Sequence, residues 1–353
     1  MSTPFSEIKL PTRRDEAWKY TDLSALSTLT IDETRPASSA KQCIANCKLP
    51  NESQLVFING KLSSAHSVIQ GFSLDTVELA EKQATGLDAL LLTEQLHLSI
   101  LPETKMDAPI HLVFVTTDQQ VSNPKLTIAL APHTTACFIE HYMGEGKYFS
   151  QSHLHFQVGE QAKLTLTRNI FENKLAFHRD RLTISLEKNA NSTAFFETKG
   201  TSLSRSEITV DCLGTGANSE LIGLFRASEQ QQADIQTTTH HRASNTTSNQ
   251  RIKSVIDDKA RGIFNGSIHV PENVGVIQAD MSNKNLLLSN SAEMNTKPQL
   301  EIYADDVKCS HGATIGQLDE SALFFLQSRG ITRDNARNML QQAFINDILR
   351  EKP

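Results

Sequence analysis

The chain has 353 residues, with 40 acidic against 34 basic side chains and a formal net charge of -6. That length permits a large core or two to three domains, and the mild charge with scattered lysines and arginines carries no electrostatic footprint for nucleic acid. No run approaches the roughly 20 apolar residues that span a bilayer, and Met1 to Leu10 lacks the basic start and apolar stretch of a secretory signal. The expectation is a soluble cytoplasmic protein with neither membrane nor nucleic-acid partners.

Residues 1–101 read as a mostly helical region. Arg13 through Leu29 places Ala17, Trp18, Leu23, Leu26 and Leu29 at imperfect helical spacing, and Lys41 to Leu49 forms a short polar segment. Gln54 to Ile58 reads as a strand ended by an Asn59-Gly60 turn. Glu78 to Ile100, rich in Leu and Ala, reads as a helix.

From Ile110 the pattern changes to short β-branched and aromatic runs separated by Gly, Asn, Lys and Glu. They include Ile110 to Val115, Leu126 to Leu130, Ala136 to Tyr142, His153 to Val158 and Leu164 to Ile170, and they continue through Ile268 and Ile302. A faint repeat runs through them. Val158-Gly-Glu-Gln-Ala162, Leu186-Glu-Lys-Asn-Ala190 and Leu213-Gly-Thr-Gly-Ala217 each set a small-residue turn before an alanine, at intervals of about 27 or 28 residues. A unit that short cannot bury its apolar face alone, so a solenoid of stacked coils over residues 102–315 is one reading. A β-sandwich with evenly spaced turns is the other.

Residues 316–353 return to helix. Asp319 is placed to cap Ala322 to Leu326, Gly330 to end that helix, and Thr332 to cap a second one carrying Ala336, Met339, Leu340, Ala343 and Ile348.

Five cysteines, Cys43, Cys47, Cys137, Cys212 and Cys309, are odd in number and irregular in spacing, which speaks against a disulfide framework and for a reducing compartment. Cys43 and Cys47 could share a helix face, but no second Cys or His pair nearby completes a site. Among the histidines only His153 with His155 and His240 with His241 are close together, and both pairs read as surface or core imidazoles. Phosphate-cradling loops are missing: Gly144-Glu-Gly146-Lys147-Tyr148 and Gly214-Thr-Gly216 lack the spacing, so no nucleotide is expected on this chain.

The most informative run is Asp305-Asp306-Val307-Lys308-Cys309-Ser310-His311-Gly312-Ala313-Thr314. In a strand, Cys309 and His311 project from one face and Ser310 from the other. A soft sulfur and a borderline nitrogen suit zinc, iron or an iron-sulfur cluster, yet two ligands leave a four-coordinate site half built. The rest must come from elsewhere. Lys308 is placed to favour the thiolate.

Pro298 to Ile331, around that run, resembles the signature of the SufB/SufD family of iron-sulfur cluster assembly proteins, and Cys-Ser-His-Gly-Ala-Thr is similar to its SufD branch. Arg14 to Leu23, Gly262 to Ile268 and Asn285 to Ser289 resemble it as well, whereas Val274 to Asp280 departs from the more polar, lysine-bearing pattern expected there. The resemblance implies a right-handed parallel β-helix and a non-catalytic scaffold subunit. It implies pairing with a SufB-like chain, with a homodimer in isolation, and a transient cluster shared at the interface, with His311 and then Cys309 as the contributing residues. It also implies a SufC-like ATPase docked on the carboxyl-terminal helices, for which Leu323, Phe324, Leu326, Arg329 and Ile331 are the contact candidates. Two alternatives stay open, a SufB-like sulfur acceptor and a carbohydrate-acting β-helix enzyme using Asp257-Asp258 and Asp305-Asp306. Adjacent strand residues face opposite ways, which makes those pairs poor acid/base partners.

Overall fold

The computed structural model describes residues 10–32, 37, 40–47, 53–70, 72–78, 87, 94–106 and 108–353. Lys163 lies beside Thr135 and Asn191, Asn191 beside Asn218, Asn218 beside Thr247, Thr247 beside Gln278 and Gln278 beside Lys308, so each coil takes 27 to 31 residues. The result is a parallel β-solenoid of about 8 turns, with 53% of the described residues in strands.

In chain order the strands are β1 Gln54–Ile58, β2 Lys61–Leu62, β3 Ser73–Glu78, β4 Glu94–Ile100, β5 Ile110–Thr116, β6 Val121–Ser122 and β7 Lys125–Leu130. Longer ones follow: β8 Thr135–Gly144, β9 Phe149–Val158, β10 Lys163–Phe171, β11 Phe177–Leu186, β12 Asn191–Lys199, β13 Leu203–Cys212 and β14 Asn218–Ala227. The last are β15 Gln232–His241, β16 Thr247–Ile256, β17 Arg261–Val270, β18 Ile277–Leu287, β19 Glu293–Ile302 and β20 Val307–Gln317. Alternate strands feed two sheets, one ordered β2-β1-β5-β8-β10-β12-β14-β16-β18-β20, the other β19-β17-β15-β13-β11-β9-β7-β4-β3.

The faint repeat has a physical cause at one corner of each coil. His133, Gln161, Asn189, Gly216 and Asn245 take positive φ, and the residues after them, Thr134, Ala162, Ala190, Ala217 and Thr246, are wholly buried. A left-handed residue turns the chain sharply, a conformation open to Gly and least costly for Asn among the others, and only a small side chain fits inside the turn. Between the sheets, inward residues alternate with outward ones, as in Ala136, Phe138, Glu140 and Tyr142 of β8. Phe57, Phe114 and Tyr142 stack along the axis with ring centroids 5.1 and 4.7 Å apart.

The amino-terminal region differs from its helical expectation. Among the described residues before Leu101 there is one α-helix, α1 Ala40–Cys47, with 3-10 turns at Glu16–Trp18 and Ser24–Thr28. Of the helix read over Glu78 to Ile100, Glu78 and Glu94–Ile100 are strand residues, with β3 and β4 paired antiparallel, and residues 79–93 other than Leu87 lie outside the described residues. Leu96, Leu98 and Ile100 alternate with Gln95, His97 and Ser99, which is the strand period. With β1 beside β5 and β4 beside β7, both sheets run across residue 101. The first 3-10 turn lies on the outer face of the second sheet, where Trp18 is covered by the Arg205 guanidinium, 3.9 Å from its ring.

At the other end α2 Glu320–Ser328 and α3 Arg333–Leu349 follow. The Asp319 side chain accepts from the Ser321 N–H at 2.8 Å, Thr332 caps α3 through the Asn335 N–H, and Gly330 takes φ 84° between them. Ile345 and Ile348 fold α3 back onto Phe195, Ile222, Leu224, Val255 and Leu286 on the first sheet's outer face.

Candidate functional site

The last coil is open. β20 ends the first sheet and β19 the second, so one margin of each presents unpaired backbone N–H and C=O groups. Cys309 lies in register with Ala279, and His311 with Met281. Ala279 and Met281 are each 1% exposed and point into the solenoid, so Cys309 and His311 share the inward face, as the spacing predicts. Burial differs within the pair. Cys309 packs against the core edge with Met294, Leu300, Ile302 and Val307, while His311 and the residues after it in the strand are exposed.

Ser310 turns outward and donates its hydroxyl hydrogen to Asp280. Lys308 also turns outward, and it does not lower the thiol as the sequence suggested. Burial pushes Cys309 above its usual value, and a hydrogen bond with the Ala279 backbone offsets this only in part. The sulfur therefore ligates as a thiolate only when a metal or a base removes its proton. Among the described residues no group of three or more His, Cys, Asp or Glu is arranged to hold a metal ion. Cys309 and His311 are two donors on one face, short of a four-coordinate set.

The sequence reading missed a charged cluster deep inside the rod. Arg168, wholly buried, donates to Glu140 at 2.9 Å and to Asp180 at 2.8 Å. His178 donates to Asp180 at 2.8 Å through Nε2 and meets Glu172 at 3.1 Å through Nδ1, the second contact being an ion pair outside hydrogen-bond alignment. Tyr142 donates to Glu140 at 2.8 Å, and Ser206 to Asp180 at 2.6 Å. Burial alone would discharge His178, but the Glu172 charge and the bond to Asp180 hold it up to about 9. Burial likewise opposes ionisation of Asp180, and Arg168 with His178 overcomes it and keeps the carboxyl well below the usual range. The available signal was an arginine and two acids at inward positions of otherwise apolar strands.

On the carboxyl-terminal helices the five contact candidates separate. Leu323 is 2% exposed and anchors α2 instead of facing outward, which removes it from the outer surface. Phe324 is 73% exposed, Arg329 is exposed, and Leu326 and Ile331 are half-buried. Phe325, 57% exposed, belongs to the same surface and was missed. Cys43 is half-buried on α1, and the Cys47 side chain lies outside the described residues.

A family model for the SUF system FeS cluster assembly SufBD core domain matches residues 113–344. The chain belongs to the SufBD family. That span contains the later coils, Cys309, His311, α2 and most of α3. An iron-sulfur cluster assembly SufBD family protein of Synechocystis sp. is 29% identical over 98% of this chain and 84% of its own length. The iron-sulfur cluster assembly protein SufD of Escherichia coli is 30% identical over 96% of this chain and 84% of its own length. A chloroplastic protein of Arabidopsis thaliana, ABCI7, is 25% identical over the whole chain and 80% of its own. As a SufBD family protein the chain is an iron-sulfur cluster assembly protein, and no helix among its described residues is long and apolar enough to cross a membrane.

Proposed function

We propose that this chain is the SufD-type, non-catalytic subunit of an assembly scaffold, in which a SufB-like chain pairs with the open coil and a nascent iron-sulfur cluster forms between them. The observation that carries this is the half-site itself: Cys309 and His311 share the inward face of an unpaired edge strand. A site divided between two chains holds a cluster while both are seated and releases it when one moves, since relative motion changes the ligand count. No phosphate loop is present to drive that motion, which suits an ATPase supplied by a SufC-like partner.

The exposed Phe324, Phe325 and Arg329 on α2 supply the face for that ATPase, with Leu326 and Ile331 at its margin. Residues 316–353 are then the docking unit, and the rod of residues 102–315 extends back across residue 101 through β1 and β4. A SufB-like sulfur-accepting role is the second reading, favoured by Cys309, and a cytoplasmic location suits the unpaired cysteines. Nothing favours the carbohydrate-acting enzyme: the Asp257 carboxylate faces Arg337, and the Asp258 carboxylate accepts the Glu229 N–H.

His311→Ala tests the reading. The variant should copurify with SufB- and SufC-like partners yet yield no iron-sulfur absorbance on anaerobic reconstitution; cluster formation at the parental level would refute a role for His311.

A further inference from the structure

A solenoid coil touches only the coils before and after it, so coils can open one at a time unless something binds those that are not neighbours. Two segments of this chain do so, one on each outer face. The first is residues 10–32, which cross the second sheet. At one end the Asp32 N–H donates to the Gln119 carbonyl, just before β6, at 2.8 Å, and Lys147 Nζ donates to the Thr28 hydroxyl at 2.7 Å. Leu23, Leu26 and Leu29 then pack with Phe149 of β9, Phe177 of β11 and Leu203 of β13. Trp18 meets the guanidinium groups of Arg179 on β11 and Arg205 on β13, 5.8 and 3.9 Å from its ring. Next to them Thr21 donates to Asp234, and the Asp22 N–H to Gln232 at 3.1 Å, both on β15.

The second segment is α3 with the turn after it, on the first sheet. Ile345 and Ile348 meet Phe195 on β12, Ile222 on β14, Val255 on β16 and Leu286 on β18. Lys352 Nζ donates to the Asn169 side chain on β10 at 2.9 Å, and Lys253 Nζ on β16 donates to Asp347 at 2.6 Å. The arm therefore spans the rod from β6 to β15 and α3 from β10 to β18, and the two ranges overlap in its middle.

We infer that these two segments are splints, which join non-adjacent coils from β6 to β18 into one cooperative unit and leave the last turn, β19 and β20, to open by itself. Burial separates the two parts. β11 and β13 each bury seven of their ten residues, whereas no residue of β19 or β20 is buried. The arm meets β19 through Glu16 and Lys297 at 3.3 Å, and an ion pair with both side chains exposed contributes little. Little buried apolar area sets a low cost for local opening. Opening of this turn moves Cys309 and His311 without bending the rod. That use of the motion in cluster release rests on the proposed function; the splinting does not.

Native-state hydrogen exchange, read by mass spectrometry on the full chain at a dilution where it is monomeric, is the test. In the parent protein the amides of β9 to β16 should exchange through one shared opening. Those that bond β19 to β17 and β20 to β18 should exchange at least tenfold faster. Trp18→Ala loosens the arm and should speed exchange in β9, β11 and β13 at least tenfold more than in β16 and β18, which α3 still holds. Ile345→Ala should reverse that order, and either variant that folds by circular dichroism suffices. Uniform acceleration of every strand, or last-turn amides as slow as those of β13 in the parent, would overturn the inference. Neither readout involves a cluster or a partner, so a failed cluster-assembly reading leaves this test intact.

Discussion

Arg168 shows how one residue can be obligatory inside the rod and inconspicuous in the sequence. Its guanidinium is shared by Glu140 and Asp180 with no solvent contact, so removing it strands two carboxylates in an apolar interior. Arg168→Met should cost about 3–5 kcal/mol in urea unfolding, the range for breaking a buried pair by deleting one partner. A loss near zero would mean that the cluster discharges at little cost. His178 adds a pH dependence of defined sign. Its folded value of about 9 exceeds the unfolded 6.5, so its contribution, about 3 kcal/mol, is complete below pH 6.5 and disappears as pH rises through about 9. Asp180 acts in the opposite sense, because its lowered value stabilises the fold above the unfolded 3.8 and that stability is lost on acidification. A His178→Gln variant should flatten the alkaline limb of the stability profile and also weaken the acidic limb, because the His178 charge and hydrogen bond help to hold Asp180 down.

At the scale of elements, α2 is a short helix with its apolar residues divided between two tasks. Leu323 holds it down, while Phe324 and Phe325 stand in water. Exposed phenylalanines on a helix capped at both ends are costly unless covered, the pattern of a face laid into a partner's groove. Phe324→Asp should change the melting free energy by less than about 0.5 kcal/mol, as for surface sites generally. It should also weaken binding of a SufC-like ATPase by tenfold or more in calorimetric titration. Undiminished affinity would locate the ATPase elsewhere. Strand recognition from sequence rests on alternating apolar and polar residues, a signal that is weak in β15 and β16, whose inward faces carry Thr237, Thr239, Ser248, Gln250 and Ser254. Those side chains satisfy one another, Thr237 and Thr239 bonding Gln250 at 2.8 and 3.0 Å and Ser254 bonding Asn285 at 2.7 Å. Polar residues are tolerated in a core on that condition.

For the molecule as a whole, the two ends of the rod are managed differently. The amino-terminal end is closed by the antiparallel pairs β1 with β2 and β3 with β4, which change strand direction and stop the stacking. The carboxyl-terminal end leaves β19 and β20 without a further coil, and Ile315, 47% exposed, occupies an inward-facing position there. An open apolar coil end with free backbone groups is an association surface. Alone in solution the chain should therefore form a concentration-dependent homodimer by sedimentation, and Ile315→Lys should shift it to monomer without lowering its melting temperature. A persistent dimer in that variant would place self-association on another surface.

What the sequence determined by itself was local. The 27- or 28-residue recurrence, the turn before Ala162, Ala190 and Ala217, both helix caps and the shared face of Cys309 and His311 all follow from side-chain size and strand or helix period, which act over a few residues. Sequence periodicity left the solenoid and the sandwich open, since both use short alternating strands; parallel registers between residues about 28 apart separate them. Only the tertiary structure decided that Glu94–Ile100 pairs as a strand, that Leu323 points inward and that burial raises the Cys309 thiol. It alone brought Glu140, Arg168, Glu172, His178 and Asp180 into one cluster, because desolvation and charge pairing depend on which coils stack, and stacking joins residues that the chain keeps far apart.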